Sequence, residues 1–264
     1  MMNKTKQGDI MKKLEGKTAI ITGAGSGFGR AIAKLYAKEG AKIIIADIND
    51  EGGKETSKEI HEMSGEAQYI KADISKSSDY SNLIQETVNS YGKLDILVNN
   101  AGIGMSATPI EEVSEEFWDK VININLKSIY LGSYYAIPIM KKAGSGVIIN
   151  IASAAGISPR PGLTPYNTSK GGAILLTKSL AIELASSKIR VNSISPVVSD
   201  TPMLKTFIGD KMSYEKGKET FEASVPLGRF CKPEDVAFAA LYLASNDASL
   251  VTGVNLEVDG GRTI

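Results

Sequence analysis

Residues 17–47 read KTAIITGAGSGFGRAIAKLYAKEGAKIIIAD. Lys17 to Thr22 is a short apolar run of strand type, Gly23 to Gly29 is a glycine-rich turn, and Arg30 to Glu39 is amphipathic with helical spacing. A second apolar run, Lys42 to Asp47, follows at once. Strand, glycine turn, helix and strand in this order predict a parallel βαβ unit. The strict G-x-G-x-x-G pattern is absent, because Phe28 and Arg30 fall where its last glycine is needed. What stands here is T-G-x-x-x-G-x-G, with Gly23, Gly27 and Gly29 at its fixed positions. Glycines let backbone N–H groups come close to a pyrophosphate, and a helix N-terminus adds partial positive charge.

The alternation continues along the chain. Strand-like segments near 18–23, 42–47, 68–73, 94–99, 146–152, 189–195 and 255–258 are separated by helical patterns near 28–39, 50–63, 77–91, 114–142, 166–186 and 233–245. The expected fold is α/β: a single-domain Rossmann fold, a doubly wound seven-stranded parallel sheet with helices on both faces. Burial on both faces explains why Ile43-Ile44-Ile45 and Val147-Ile148-Ile149 are continuous rather than alternating. Ligands in such sheets bind beyond the carboxyl ends of the strands. Gly23, Asp47, Asn99 and Ser153 all fall at those ends. Asp47 is placed to accept from a ribose hydroxyl pair and to repel a 2′-phosphate; Ser26 carries no cation for such a phosphate, and Ile48 follows the acid. NAD is therefore expected in preference to NADP. Asp73 reads either as a plain turn residue or as an adenine-side contact through Asp73-Ile74.

Chemistry enters with Ser153, Tyr166 and Lys170. Tyr166 and Lys170 are four apart, so on a helix they share a face, one turn apart. An unperturbed tyrosine has a pKa of about 10, and a nearby ammonium favours its phenolate. Such a phenol can move a proton to or from a carbonyl oxygen, while the Ser153 hydroxyl donates to the same oxygen. The pair also occurs by chance on exposed helices, so its weight depends on the glycine turn upstream.

Taken together, T-G-A-G-S-G-F-G at Thr22 to Gly29, N-N-A-G at Asn99 to Gly102, Asn125 in I-N-L, Ser153, and Y-N-T-S-K at Tyr166 to Lys170 resemble a classical short-chain dehydrogenase/reductase, from about Leu14 to Gly261. The resemblance implies Tyr166 as acid-base, Ser153 as the group that orients and polarises the carbonyl, Lys170 as the group that lowers the Tyr166 pKa and holds the nicotinamide ribose, and Asn125 as holder of a relay water. It implies that Asn100, Ala101 and Gly102 line the adenosine side of the cofactor, joining Gly23, Ser26, Gly27, Phe28, Gly29, Asp47, Ile48, Asp73 and Ile74. After the sixth strand the family usually has Pro-Gly. Here Pro196-Val197-Val198-Ser199-Asp200-Thr201 departs from that pattern, although Thr201 keeps its offset, so Pro196, Val198 and Thr201 are expected beside the nicotinamide along a path that Val197 leaves less defined. The family also pairs the long helix around Phe117 to Lys142 and the Tyr-Lys helix across a two-fold axis. A homotetramer or homodimer is therefore expected, with residues 251–261 commonly forming a second interface.

The remaining composition narrows partners more than it assigns them. Lys+Arg and Asp+Glu both number 30, leaving no field to steer the chain to nucleic acid or anionic lipid. One cysteine, Cys231, and one histidine, His61, supply neither an internal disulfide nor a metal constellation. No apolar run spans a bilayer and MMNKTKQGDIMKK lacks a signal-peptide core, so a cytoplasmic protein without membrane partners is expected, residues 1–13 forming a loose arm before one domain over 14–264. The segment from about 197 to 230 mixes Met203, Leu204, Phe207, Ile208, Met212 and Phe221 with charges; it reads as a substrate lid or as an ordinary helical pair. Ser153, Ala155, Met203 and Phe207 are candidate substrate contacts. The substrate expected is a secondary alcohol or ketone: a 3-oxoacyl thioester, sugar or polyol, steroid or cyclic alcohol. An NADP-dependent 3-oxoacyl reductase and a non-catalytic dinucleotide sensor are the alternatives; an epimerase or dehydratase is disfavoured by the glycine spacing and the lack of a second domain.

Overall fold

The computed structural model describes residues 12–209 and 212–264. Its sheet has the strands β1 (Thr18–Thr22), β2 (Lys42–Asp47), β3 (Glu66–Lys71), β4 (Ile96–Asn99), β5 (Gly146–Ile151), β6 (Ile189–Pro196) and β7 (Asn255–Val258). All pairings are parallel, in the order β3-β2-β1-β4-β5-β6-β7. Strand order reverses between β1 and β4, and a ligand crevice belongs there. The apolar triplet in β2 splits as a two-sided sheet demands. Ile43 and Ile45 pack in one core with Ile32 and Tyr36 of α1 (Gly27–Lys38), while Ile44 joins a second core on the other face.

The other helices are α2 (Asp50–Glu62), α3 (Ser77–Tyr91), α4 (Glu115–Ile122), α5 (Ser128–Ala143), α6 (Thr164–Leu184), α7 (Pro202–Ile208), α8 (Tyr214–Ala223) and α9 (Pro233–Ala244). Two departures from the sequence expectation matter for the site. The expected helix over 114–142 is interrupted by a π-helical turn at Asn123–Lys127, a widening often found at functional positions. Helix α6 begins two residues before Tyr166 because Pro165, which has no N–H to lose, occupies the start of its first turn. Its buried stripe is Tyr166, Lys170, Ala173, Thr177, Ala181 and Leu184, spaced three or four apart, with Ser169 beside it. Tyr166 and Lys170 thus both face inward.

The segment after β6 is a helical pair, α7 and α8, whose Leu204 and Ile208 pack with Phe230. Met212 is exposed and takes no part in a lining. Of the arm expected over residues 1–13, residues 1–11 lie outside the described residues, while Lys13, like Leu14 after it, bonds to Glu39. Among the described residues no helix is long and apolar enough to cross a membrane.

Candidate active site

A cleft opens at the carboxyl ends of the strands on either side of the reversal. It is bordered by Gly23, Ser26, Gly27, Phe28, Asp47, Ile48, Asp73, Ile74, Asn100, Ala101, Gly102, Tyr166, Lys170 and Thr201. Three expected contacts lie elsewhere. Gly29 is packed beneath the loop, where any Cβ would run into the Gly23 carbonyl and come within 2.6 Å of Asn100 Nδ2. Pro196 and Val198 line the neighbouring cavity instead, because Val197 N donates to Val258 O (3.1 Å) and Cys231 N to Val198 O (3.1 Å), holding this stretch against the sheet. Val197 does not have the left-handed backbone that would favour glycine, so the departure costs no strain.

The glycine turn is held from both sides. Gly23 and Gly27 have φ of +64° and +51°. Asn100 Nδ2 donates to Thr22 O (2.8 Å) and Gly23 O (3.2 Å), while the Asn100 and Ala101 amides donate to Thr22 Oγ1 at 3.0 and 3.1 Å. On the other flank Asp47 Oδ2 accepts from Gly25 N (2.8 Å) and Oδ1 from Asn49 N (2.9 Å). Arg30, in the first turn of α1, gives its guanidinium to Gly25 O (2.6 Å), Glu55 (2.8 Å) and Glu59 (3.3 Å). Asp73 both borders the cleft and closes its own turn, accepting from Ser75 N and Oγ.

Behind the cleft runs a buried polar relay that sequence reasoning missed: Tyr80 donates to Asn99 Oδ1 (2.7 Å), Asn99 Nδ2 to Asn150 Oδ1 (2.8 Å), and Asn150 Nδ2 to Thr177 Oγ1 (2.9 Å). An asparagine inside the apolar run VIINI was the available signal, since buried amides need partners. The relay ties α3, β4, β5 and α6 together and fixes the strand ends.

Ser153 caps a short 3₁₀ turn, Ala154–Gly156, its Oγ accepting from Ala155 N (3.2 Å). Gly156 lets that turn lie directly on α6: a Cβ there would sit 2.7 Å from the Lys170 carbonyl carbon. Ser153 and Tyr166 line the same cavity. The Lys170 amine donates to Ile151 O (2.8 Å) and lies 5.9 Å from the centre of the Tyr166 ring. Asn125, in the π turn, clasps the backbone of Ile103, accepting from its N–H (2.8 Å) and donating to its carbonyl (3.0 Å). Its side chain thereby holds the Gly102–Ile103 stretch of the loop after β4 at the cleft. Beyond Ser153 a second cavity is lined by Ala155, Tyr166, Met203, Phe207 and Phe221, so the four candidate substrate contacts do converge. Phe207 packs edge-on against Tyr166, ring centres 5.2 Å apart.

A family model described as enoyl-(acyl carrier protein) reductase matches residues 23–263. A 4-formylbenzenesulfonate dehydrogenase of Comamonas testosteroni is 43% identical over 95% of this chain and 99% of its own. A 3-oxoacyl-[acyl-carrier-protein] reductase of Thermotoga maritima is 41% identical, covering 96% of this chain and all of its own. The crystal structure of the 3-ketoacyl-(acyl-carrier-protein) reductase of Brucella melitensis, complexed with NADH, superposes with a TM-score of 0.89 at 44% identity, over 95% of this chain and 100% of that one. This chain belongs to the short-chain dehydrogenase/reductase family. It is an oxidoreductase of that family, acting between alcohol and carbonyl groups.

In this dehydrogenase/reductase, burial is the first influence on the proton affinities of Tyr166 and Lys170. In the protein alone burial dominates and pushes the phenol above its ordinary value, opposed by the neighbouring Ser153 hydroxyl. Burial also pushes Lys170 down to about 8. Cys231 is no competing nucleophile: burial pushes its thiol up to about 12.

Proposed function

We propose that the protein is an NAD(H)-dependent dehydrogenase/reductase for a secondary alcohol or ketone, working with Tyr166, Ser153, Lys170 and Asn125. The observation that carries this reading is the position of Tyr166, which borders both the long cleft and the cavity beside Ser153. The residues of the cleft suit a dinucleotide: Gly23 and Gly27 turn the loop with positive φ, Ser26 precedes α1 without a side-chain cap hydrogen bond, and Asp47 flanks the loop. The helix N-terminus at Gly27 and Phe28, which border the cleft, suits a pyrophosphate. Asp47 suits ribose hydroxyls, and a 2′-phosphate would meet this carboxylate while Arg30 is already neutralised by Glu55 and Glu59.

A bound nicotinamide supplies the carbon that exchanges hydride and, when oxidised, a positive charge beside the phenol. Ser153 donates to the substrate oxygen and orients it. Tyr166 gives that oxygen a proton during reduction and takes it during oxidation. Lys170, anchored on Ile151 O, presents its remaining donors to a ribose hydroxyl and to the phenol side of the site. Asn125 positions Ile103 and the cleft wall, and the widened turn in which it sits is the place for a relay water. The helical pair over 197–230 serves as the lid, with Met203 and Phe207 closing on the cavity. Exposed Tyr130, Tyr134, Leu175 and Ile182 on α5 and α6 support a homotetramer or homodimer, and the protein is proposed to work in the cytoplasm.

A panel of secondary alcohols and ketones, followed by nicotinamide absorbance with each coenzyme, tests the reading. Turnover is expected with NAD or NADH; no turnover across the panel with either coenzyme defeats it. Exchanging Asp47 for Ser is expected to erode the NAD preference by about tenfold, one hydrogen-bonded charge being worth roughly 1.5–3 kcal/mol. An unchanged NAD:NADP ratio in kcat/KM removes Asp47 from discrimination.

A further inference from the structure

Two arginines border the cavity beside Ser153 and Tyr166, and sequence reasoning singled out neither. Arg160 stands in the loop ahead of α6; Arg262 stands in the turn after β7. Among the described residues lining this cavity there is no Asp or Glu, and neither arginine forms an ion pair. Both are held in place. The Arg160 guanidinium lies over the Phe221 ring at 4.5 Å and donates to Ser224 Oγ at 3.0 Å, which anchors it to α8. The Arg262 backbone is set by the turn that Asp259 closes, its carboxylate accepting from Gly261 N, Thr263 N and Thr263 Oγ1; the nearest acid along the chain is thus already occupied. The Arg262 Nε is buried with no hydrogen-bond partner.

Two like charges facing one apolar cavity repel each other and each loses hydration. Burial and the neighbouring Arg262 together push the Arg160 pKa below its ordinary value. Such an arrangement is unfavourable in the protein alone and becomes favourable when an anion enters, because a guanidinium binds a planar or tetrahedral oxyanion through paired donors. Phe207, Phe221 and Met203 give the lining an apolar, in part aromatic side, and Ser153, Ser158, Ser199 and Thr201 add hydroxyls.

We infer that Arg160 and Arg262 form an anion subsite, and that the substrate is a carbonyl compound or alcohol carrying a carboxylate or sulfonate across an apolar body from the reacting carbon. This rests on the proposed oxidoreductase chemistry at Tyr166 and narrows its substrate to an anionic class. Arg160 and Arg262 are specificity residues in this scheme. The anion binds at the guanidinium pair, the apolar body packs on Phe207, and the reacting oxygen reaches Ser153 and Tyr166.

The test compares 4-acetylbenzoate with acetophenone by isothermal titration, with and without NAD, and by turnover with NADH. The carboxylate is expected to bind about tenfold or more tightly, charge-assisted hydrogen bonds being roughly twice as strong as neutral ones. Arg262→Gln and Arg160→Gln are each expected to remove about tenfold of that preference, and Arg262→Lys to restore part of it, since an ammonium keeps the charge and loses the fork. NADH affinity, read by fluorescence, should stay within about twofold in every variant, showing that the fold and the long cleft are intact. Because Arg160 also ties down α8, Arg262→Gln carries the decision if Arg160→Gln fails to fold. No preference for the carboxylate in either titration overturns the inference, as does a preference that survives Arg262→Gln. Turnover of acetophenone equal to that of 4-acetylbenzoate also overturns it, leaving the oxidoreductase reading standing. Arginine-dependent binding of the carboxylate without turnover of any ketone or alcohol supports the subsite and defeats that reading instead.

Discussion

Across the mouth of the sheet the glycine turn between β1 and α1 faces the segment that follows β6, and the two are built from different materials. The turn is almost all backbone. Its shape comes from two glycines with positive φ, from one glycine with no room for a side chain, and from hydrogen bonds supplied by Asn100 and Asp47. The opposite wall is side chains on short helices: Met203, Leu204 and Phe207 from α7, Phe221 from α8, joined by Arg160 and Arg262 from two other places in the chain. A backbone-built wall suits a ligand common to a whole family of reactions. A wall of side chains can change its shape and charge without disturbing the sheet.

The largest effect is expected where the two walls meet. Replacing Tyr166 by Phe should lower turnover by about 10³-fold, the scale of a lost general acid-base, while NAD affinity stays within a few fold. Rates near wild type, measured by steady-state kinetics, would take the phenol out of the chemistry. Gly29→Ala strikes the backbone wall alone. The added methyl meets the Gly23 carbonyl and Asn100, so a loss of about 2–3 kcal/mol in stability is expected from overpacking, along with weakened NAD binding. A urea midpoint unchanged from wild type would show that the turn is less rigid than its contacts imply.

The smallest effect is a slope. Lys170 titrates at about 8 in the folded protein against an ordinary 10.5, so as pH rises through that window the folded chain sheds its proton first while the unfolded chain still holds one. Stability from this group therefore rises between about pH 8 and 10, before Tyr166, raised by burial, begins to work in the opposite direction. Urea unfolding of wild type and Lys170→Met at pH 8 and at pH 10 isolates the contribution, other titrations cancelling in the difference. Wild type should gain on the variant as pH rises; parallel behaviour would mean that Lys170 is not desolvated.

Much of this was legible before any coordinates. The positions of Gly23, Gly27, Asp47, Tyr166 and Lys170 could be read because each depends on local rules: a turn needing positive φ, an acid at a strand end, two side chains one helical turn apart. The direction of the Tyr166 shift could not be read, because it depends on desolvation by residues distant in the chain. The same is true of the π turn that aims Asn125 at Ile103, and of Asn99, Asn150 and Thr177 meeting inside the sheet.

Periodicity and glycine spacing alone determined the doubly wound sheet, the cleft at its carboxyl edge and the glycine turn and acid that border it, since strand and helix periods and backbone sterics act over a few residues at a time. Only the tertiary structure decided which wall Pro196 and Val198 belong to, how burial sets the proton affinities of Tyr166 and Lys170, and that Arg160 and Arg262, 102 positions apart in sequence, share one cavity. Those outcomes follow from packing and from charge felt through space, and no short window of the chain encodes either.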